Sequence, residues 1–331
     1  YENNQKIPPV LKKECGDCQF KASTEELDSG LLSGYHECWK EALGWADEDF
    51  LKPNVLDIWD NRKKDNDIRE GRIKFSDFSE EDINPRDLRG NNELTRVERQ
   101  WLQIEKVQKN DQTIWLEKAG LANEMNSWTY PLHFIDFETS TVAIPFKKDR
   151  RPYEGIAFQY SHHTVDKNGF IEHKGEYINC EQGAFPNYDF VRHLKNELEA
   201  DNGTIFRYHN HENTYLNLIY LQLLDDKNLI EDKEELCNFI RHITRSTGDA
   251  IDPWMGGRSM VDLWVLVKKY YYNPATNGSN SLKDVLPATI NSSDYLKNKY
   301  SKPIYGSSKM PSLNFSNKQW LNLKEGVSSN P

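Results

Sequence analysis

Near residue 130 the spacing of apolar positions changes, and the change divides the chain in two. Upstream, Glu93–Lys109 and Thr113–Met125 place Trp101, Ile104, Ile114, Leu116 and Leu121 at roughly helical intervals, which predicts a helical connector. Downstream the apolar runs shorten. Leu132–Phe137 is brief and aromatic, while Gly155–His163 and Phe170–Ile178 read as antiparallel strands joined by the turn residues Asp166-Lys-Asn-Gly169. Phe190, Val191, Leu194 and Leu198 share one helix face, and Gly203–Tyr208 reads as a strand. Further helices are expected over Tyr215–Leu223, Leu236–Ile243 and Asp262–Tyr272, and the pattern fades after Pro287. A meander followed by strand–helix alternation predicts an α/β fold, a mixed sheet with helices on its faces.

A chain of 331 residues is long for one core. Four segments are expected: a cysteine-bearing stretch at 1–45, the helical connector at 46–128, the α/β domain at 129–290 and an irregular segment at 291–331. Nine Trp and 12% aromatics argue against wholesale disorder. The net charge of −10 opposes bulk attraction to nucleic acid, so such a substrate needs a local basic groove. No run approaches the ~18 apolar residues of a membrane span and no signal-peptide pattern occurs, so no membrane partner is expected and the cytoplasm is the expected compartment. Tyr1 in place of an initiator Met, and the Ser-Asn-Pro ending, are read as those of an excerpt from a longer protein.

The strongest candidate chemistry is Phe134-Ile-Asp-Phe-Glu-Thr139. Residues i and i+2 of a strand point to one side, so Asp136 and Glu138 project together. Apolar neighbours on either side suggest a central strand buried on both faces. Converging carboxylates repel unless a hard divalent cation neutralises them, and two-metal hydrolysis uses ions ~3.5–4 Å apart. Glu212, at a strand-to-helix junction, and Asp262, before a helical pattern, are the further candidates; the competing readings are a helix-dipole acid and an N-cap.

These blocks resemble an uncharacterised bacterial domain-of-unknown-function family with a DnaQ-like, ribonuclease-H-like 3′–5′ exonuclease domain, often found beside RecB-like nuclease sequence. The matching blocks include Phe158-Gln-Tyr-Ser161, Phe206-Arg-Tyr-His-Asn-His-Glu-Asn213, Val261-Asp-Leu263 and Gly278-Ser-Asn-Ser-Leu-Lys-Asp-Val-Leu-Pro287, over about residues 130–290. The resemblance implies metal-dependent cleavage at a single-stranded DNA or RNA 3′ end, with two Mg²⁺ or Mn²⁺ ions on Asp136, Glu138, Glu212 and Asp262. Such domains end with a Tyr- or His-associated Asp. After Asp262 only Asp284, Asp294 and Glu325 remain, none in that setting. The alternative is therefore a non-catalytic nucleic-acid-binding or assembly module.

Substrate contacts are assigned to Thr139, Arg151, Tyr153, His209, His211, Asn213 and Lys283; the competing readings are a solubilising loop for Arg151 and Tyr153, polar groups facing water for the histidines, and a solvent-facing side chain for Lys283. Arg151 and Tyr153 belong to the basic loop Lys147-Lys-Asp-Arg-Arg151 and its flank, and Arg207 and Asn210 are candidates to orient the His209–His211 loop. Cys15-Gly-Asp-Cys18 and Cys38 have the start of a metal-ligand spacing, open to zinc with His36 or to a [4Fe–4S] cluster with a fourth Cys elsewhere. The resemblance to RecB-like nuclease endings favours the cluster; unligated thiols are the competing reading.

Overall fold

A computed structural model gives the fold and describes residues 7–85, 93–248, 250, 252–324 and 327–329. In chain order come α1 (Thr24–Asp28), α2 (Gly34–Leu43), α3 (Lys64–Arg69), α4 (Glu80–Ile83) and α5 (Arg96–Gln108). β1 (Trp115–Leu116) and α6 (Lys118–Asn126) lead to a meander of β2 (Leu132–Thr141), β3 (Gly155–Val165) and β4 (Ile171–Ile178). Then follow α7 (Asn187–Leu198), β5 (Ile205–Arg207), α8 (His211–Asp225), α9 (Lys233–Ile243), β6 (Val261–Asp262) and α10 (Leu263–Tyr270). The remaining elements are β7 (Tyr271–Tyr272), α11 (Leu282–Asn291), α12 (Asp294–Tyr300), β8 (Asn322–Lys324) and β9 (Val327–Ser329).

The chain forms two compact units. The first comprises Tyr1–Lys118 and Lys268–Ala288, the second Ala119–Val267 and Thr289–Pro331. In the first unit, Trp39, Val55, Ile58 and Ile104 are fully enclosed, with Tyr35, Phe75 and Phe78 around them. Its longest helix starts where a capping box dictates: the Thr95 hydroxyl accepts from Glu98 N–H (3.3 Å) and Glu98 accepts from Thr95 N–H (2.7 Å). Arg99 of that helix donates to the carbonyls of Lys268 (3.2 Å) and Tyr271 (2.7 Å), next to the antiparallel pair β1–β7.

The second unit is built on a five-stranded mixed sheet in the order β4-β3-β2-β5-β6. β2, β3 and β4 are antiparallel; β5 and β6 run parallel to β2. One face buries Ile135, Phe137, Tyr160 and Ile205 against α7, α8 and α9 through Phe190, Leu194, Leu216, Ile219 and Ile240. This is what a period-2 strand under period-3.6 helices requires. On the other face Phe134 stacks on Phe206 (4.9 Å) and Trp128 meets Phe206 edge-on (4.7 Å). Among the described residues, no helix is long and apolar enough to cross a membrane.

A buried polar chain ties the meander to α7. Asp201 holds His133 (2.8 Å), His133 meets His162 (2.9 Å), and His162 meets Glu197 (2.7 Å), which also accepts from the Tyr160 hydroxyl (2.8 Å). Gly175, paired with His162, leaves the room this needs: a Cβ there would stand 2.0 Å from Glu197 Oε2.

Several expectations change. β2 is not buried on both faces at the acids, because Asp136 and Glu138 alternate outward while Ile135 and Phe137 turn inward. Thr113–Met125 is not one helix; Trp115–Leu116 pairs with β7 before α6 begins. Likewise Tyr271–Tyr272 leaves the helix to form that strand. The weakly patterned stretch around Pro287 holds two helices, α11 running through Pro287 and α12 started by a Ser293 cap.

Candidate functional site

β2 sets Asp136 opposite Ser161 and Glu138 opposite Gln159 of β3, and the register shifts just after Glu138. Both acids reach solvent on the open face of the sheet. Burial of its carboxyl, with the Glu138 charge beside it, pushes Asp136 above the usual carboxylate range; His211 pulls the other way.

Parallel pairing of β5 with β2 brings the start of α8 alongside. Glu212 lies in its first turn and is 4% exposed, with Oε2 lacking any hydrogen-bond partner. Burial first, and then the charges of Asp136 and Asp262, push its carboxyl up to about 7 against its own backbone N–H and Arg207. An uncompensated buried carboxylate of this kind costs several kcal/mol, on the order expected for a desolvated charge, unless it is protonated or meets a cation.

Asp262 is placed differently. Its Oδ1 accepts from the N–H groups of His209 (2.9 Å) and Trp264 (3.0 Å), capping α10, and its Oδ2 pairs with Arg207 Nη1 (3.1 Å). Arg207 is buried and also donates to the His209 carbonyl and to Asn210 Oδ1 (3.0 Å). The capping alternative is thus realised, and an internal guanidinium supplies the counter-charge. Sequence reasoning set Arg207 aside as a loop orienter. The missed signal was an Arg closing the apolar strand Ile205-Phe206-Arg207, since a buried Arg needs a carboxylate.

Around the acids, exposed His211 places Nε2 3.1 Å from the Thr139 hydroxyl and packs on Tyr215 (4.8 Å). His209 adopts φ +69°, with its ring edge on Trp264 (4.6 Å), in a conformation that non-glycine residues hold only when their surroundings dictate it. Tyr153 is also left-handed (φ +57°), is 71% exposed, and lies two residues before Gly155, the partner of Thr141. Asn213 is buried, and its side chain bonds both the N–H and the carbonyl of Arg245 (each 3.0 Å), so its amide fixes backbone instead of facing a substrate. Arg151, though exposed, pairs with Asp225, and Arg150 with Glu154 and Asp226, which leaves Lys147 and Lys148 as the loop's cations outside these ion pairs. Lys283 belongs to the first unit, its backbone N–H donating to Ser281 Oγ (3.3 Å).

Among the described residues, no three His, Cys, Asp or Glu side chains stand together as a group that would hold a metal ion. Asp136, Glu138 and Glu212 nevertheless have the donor chemistry for a hard divalent cation, and the bare Glu212 oxygen lacks any other partner. Asp262 does not fit that role, its oxygens being engaged. Cys15 and Cys18 pack as free thiols against the first unit's core, Cys38 is exposed on α2, and His36 Nδ1 bonds Ser33 Oγ (2.7 Å), so the expected zinc or iron–sulfur set is not assembled by these side chains. Of the later acids, Asp284 accepts from Ser279 (2.6 Å), Asp294 pairs with Lys297 (2.8 Å), and Glu325 lies outside the described residues.

No curated protein and no solved structure matches the chain. Residues 133–281, the stretch that carries Asp136, Glu138, Glu212 and Asp262, match the family described as a domain of unknown function, DUF2779.

Proposed function

We propose that the second unit is a ribonuclease-H-like, DnaQ-type domain that hydrolyses phosphodiester bonds at the 3′ end of single-stranded nucleic acid with the help of divalent metal. The observation that carries this reading is the buried Glu212, one carboxyl oxygen of which has no partner, beside the solvent-facing Asp136–Glu138 pair, so that three carboxyl groups meet at this end of β2. The sheet order supports it: three antiparallel strands followed by two parallel ones, with the acid pair on the first and central strand.

Although their oxygens are not gathered into a ready metal group in this structure, Asp136, Glu138 and Glu212 would in this reading hold Mg²⁺ or Mn²⁺, which when bound supplies charge neutralisation and an acidified water. The chain's own residues do the rest. Arg207 and Asp262 lock the His209–Asn210 loop, and with it the first turn of α8, so that Glu212 is presented without freedom to swing. His211, steadied by Thr139 and Tyr215, offers a ring nitrogen, and Lys147 and Lys148 in the loop after β2 offer ammonium groups, to phosphate.

The test is degradation of a 3′-labelled single strand with Mn²⁺, comparing the parent chain with the Asp136→Asn/Glu138→Gln double variant. The variant is expected to lose at least about a hundredfold in rate, the scale of losing metal assistance. Equal rates in the two proteins would sink the catalytic reading. A second reading, a binding module with an incomplete site, is favoured by the Arg207–Asp262 pair, which withdraws one acid from any metal shell. It predicts that the parent chain retains the strand without shortening it.

A further inference from the structure

The tip of the β3–β4 hairpin, α12 and the segment after it line an open cavity of about 400 Å³. Three lysines line it, Lys299, Lys302 and Lys309, and none of them is in an ion pair among the described residues. The nearest acids in sequence are already committed: Asp166 accepts from the N–H groups of Asn168 and Phe170 (2.8 Å each), Glu172 pairs with Lys174 (3.8 Å), and Asp294 pairs with Lys297. Three lysines on one cavity without a paired acid, in a chain of net charge −10, favour an anion there. The rest of the lining holds no acid: besides the polar Asn298, the side chains of Ile171, Ile304 and buried Met310 form an apolar floor, and Tyr295 is 71% exposed. Apolar floor, free ring and lysines together fit a nucleotide unit, base on the floor or ring and phosphate on the ammoniums. The volume is that of a small-ligand site, about 300–1,000 Å³, and is too small for a duplex.

The backbone that presents these lysines is fixed. Ile304 N–H donates to the Lys302 carbonyl (2.8 Å), Gly306 N–H to the Met310 carbonyl (2.8 Å) and Lys309 N–H to Ser307 Oγ (3.2 Å). Tyr305 between them is buried and bonds His163 Nε2 (2.8 Å). That anchor relates the cavity to the acids. Directly opposed residues of an antiparallel pair project to the same face, so Glu138 with Gln159, Asp136 with Ser161, and Phe134 with His163 line one face of the sheet. The acids and the Tyr305 anchor therefore share a surface: Ser161 and Gln159, opposite the acids, stand two and four residues from His163, roughly 7 and 13 Å along β3 at ~3.3 Å per residue.

We propose that this cavity is a second binding site for single-stranded nucleic acid, gripping the phosphate backbone of the strand whose 3′ end reaches Asp136 and Glu138. The assignment rests on the phosphodiesterase reading of those acids for its orientation only. Binding itself is tested separately, by fluorescence anisotropy of a labelled oligothymidylate long enough to span both sites, in EDTA so that nothing is cut.

The Lys299→Ala/Lys302→Ala/Lys309→Ala variant is expected to bind at least about tenfold more weakly at low salt. The slope of log affinity against log salt should shrink by about 2, each single-strand phosphate contact being worth about 0.7. Lys302→Glu/Lys309→Glu, at two exposed positions, should do the same with the melting temperature unchanged. Tyr295→Ala should cost about five- to a hundredfold with little change of slope, as loss of one stacked base does. Unchanged affinity and slope in both lysine variants overturns the site, and equal affinity for polyglutamate or anionic vesicles overturns its assignment to nucleic acid. The Asp136→Asn/Glu138→Gln variant should bind with the parent slope, so an inert enzyme with an intact lysine effect refutes the catalysis and leaves the binding site standing.

Discussion

At the scale of single residues, Glu212 carries the clearest physical conflict in the molecule. Burial pushes its carboxyl up to about 7 in the fold, from an ordinary value of 4.5. Between those values the unfolded chain is ionised while the folded one keeps its proton, so stability falls as pH rises through that window and stays low above it. Glu212→Gln removes the ionisation. Above pH 7 without divalent metal the variant should unfold at higher denaturant than the parent, by up to roughly 3 kcal/mol, and at pH 4.5 the two should nearly coincide. Mn²⁺ at pH 8 should raise the melting temperature of the parent and leave the variant where it is. A variant weaker than the parent at pH 8 would mean that Glu212 has a partner in solution. Asp262 is the contrast: an acid of the same apparent promise, neutralised by Arg207 and used as a cap.

Among elements, β2, β3 and α7 are joined by the Asp201–His133–His162–Glu197 chain, which depends on a missing side chain. Gly175 of β4 gives Glu197 its place, and an added Cβ would overlap the carboxylate. Gly175→Ala should therefore expel Glu197, leave His162 and Tyr160 without their acceptor, and lower stability by about 2–4 kcal/mol, the cost of breaking a buried polar network. Hydrogen exchange should rise along β3 and β4 while α8 and α9 keep their protection. If exchange is unaltered, the chain is incidental. The longer elements were legible in the sequence because their apolar spacing is long and regular, α9 through Leu236, Phe239, Ile240 and Ile243 being the plainest case. The two-residue strands β1 and β7 were not, since Trp115–Leu116 is too short for any period to show. α11 was obscured by Pro287 and its Ser/Asn surroundings.

For the whole molecule, each unit has a core of its own, Trp39 with Ile58 and Ile104 in the first, Phe190 with Leu194 and Leu216 in the second. Damage to one core should stay local. Trp39→Ala is expected to cost the first unit about 3–5 kcal/mol, the scale for emptying a buried aromatic site, and to strip exchange protection from α2 and α5 but not from β2 and β3. Protection lost evenly along the chain would show the units to be one cooperative body. The acid strand was readable because a period of two puts Asp136 and Glu138 on one side whatever surrounds them. Which acids lack partners was not readable, because Arg207 reaches Asp262 across 55 positions of sequence and no local pattern records a pairing over that span.

The alternation along β2 has one more consequence. Within Ile135–Glu138 the inward Ile135 and Phe137 hold the fold together and the outward Asp136 and Glu138 carry the charge, so the two duties are inherited separately. A descendant could trade Asp136 and Glu138 for neutral residues and lose its chemistry while folding as well as before, or better, once the repulsion is gone. Drift therefore meets little resistance on one side of this strand and a great deal on the other. Lineages that had quietly given up cutting would keep Ile135 and Phe137, and would be told apart from working ones only at the two outward positions between and beyond them.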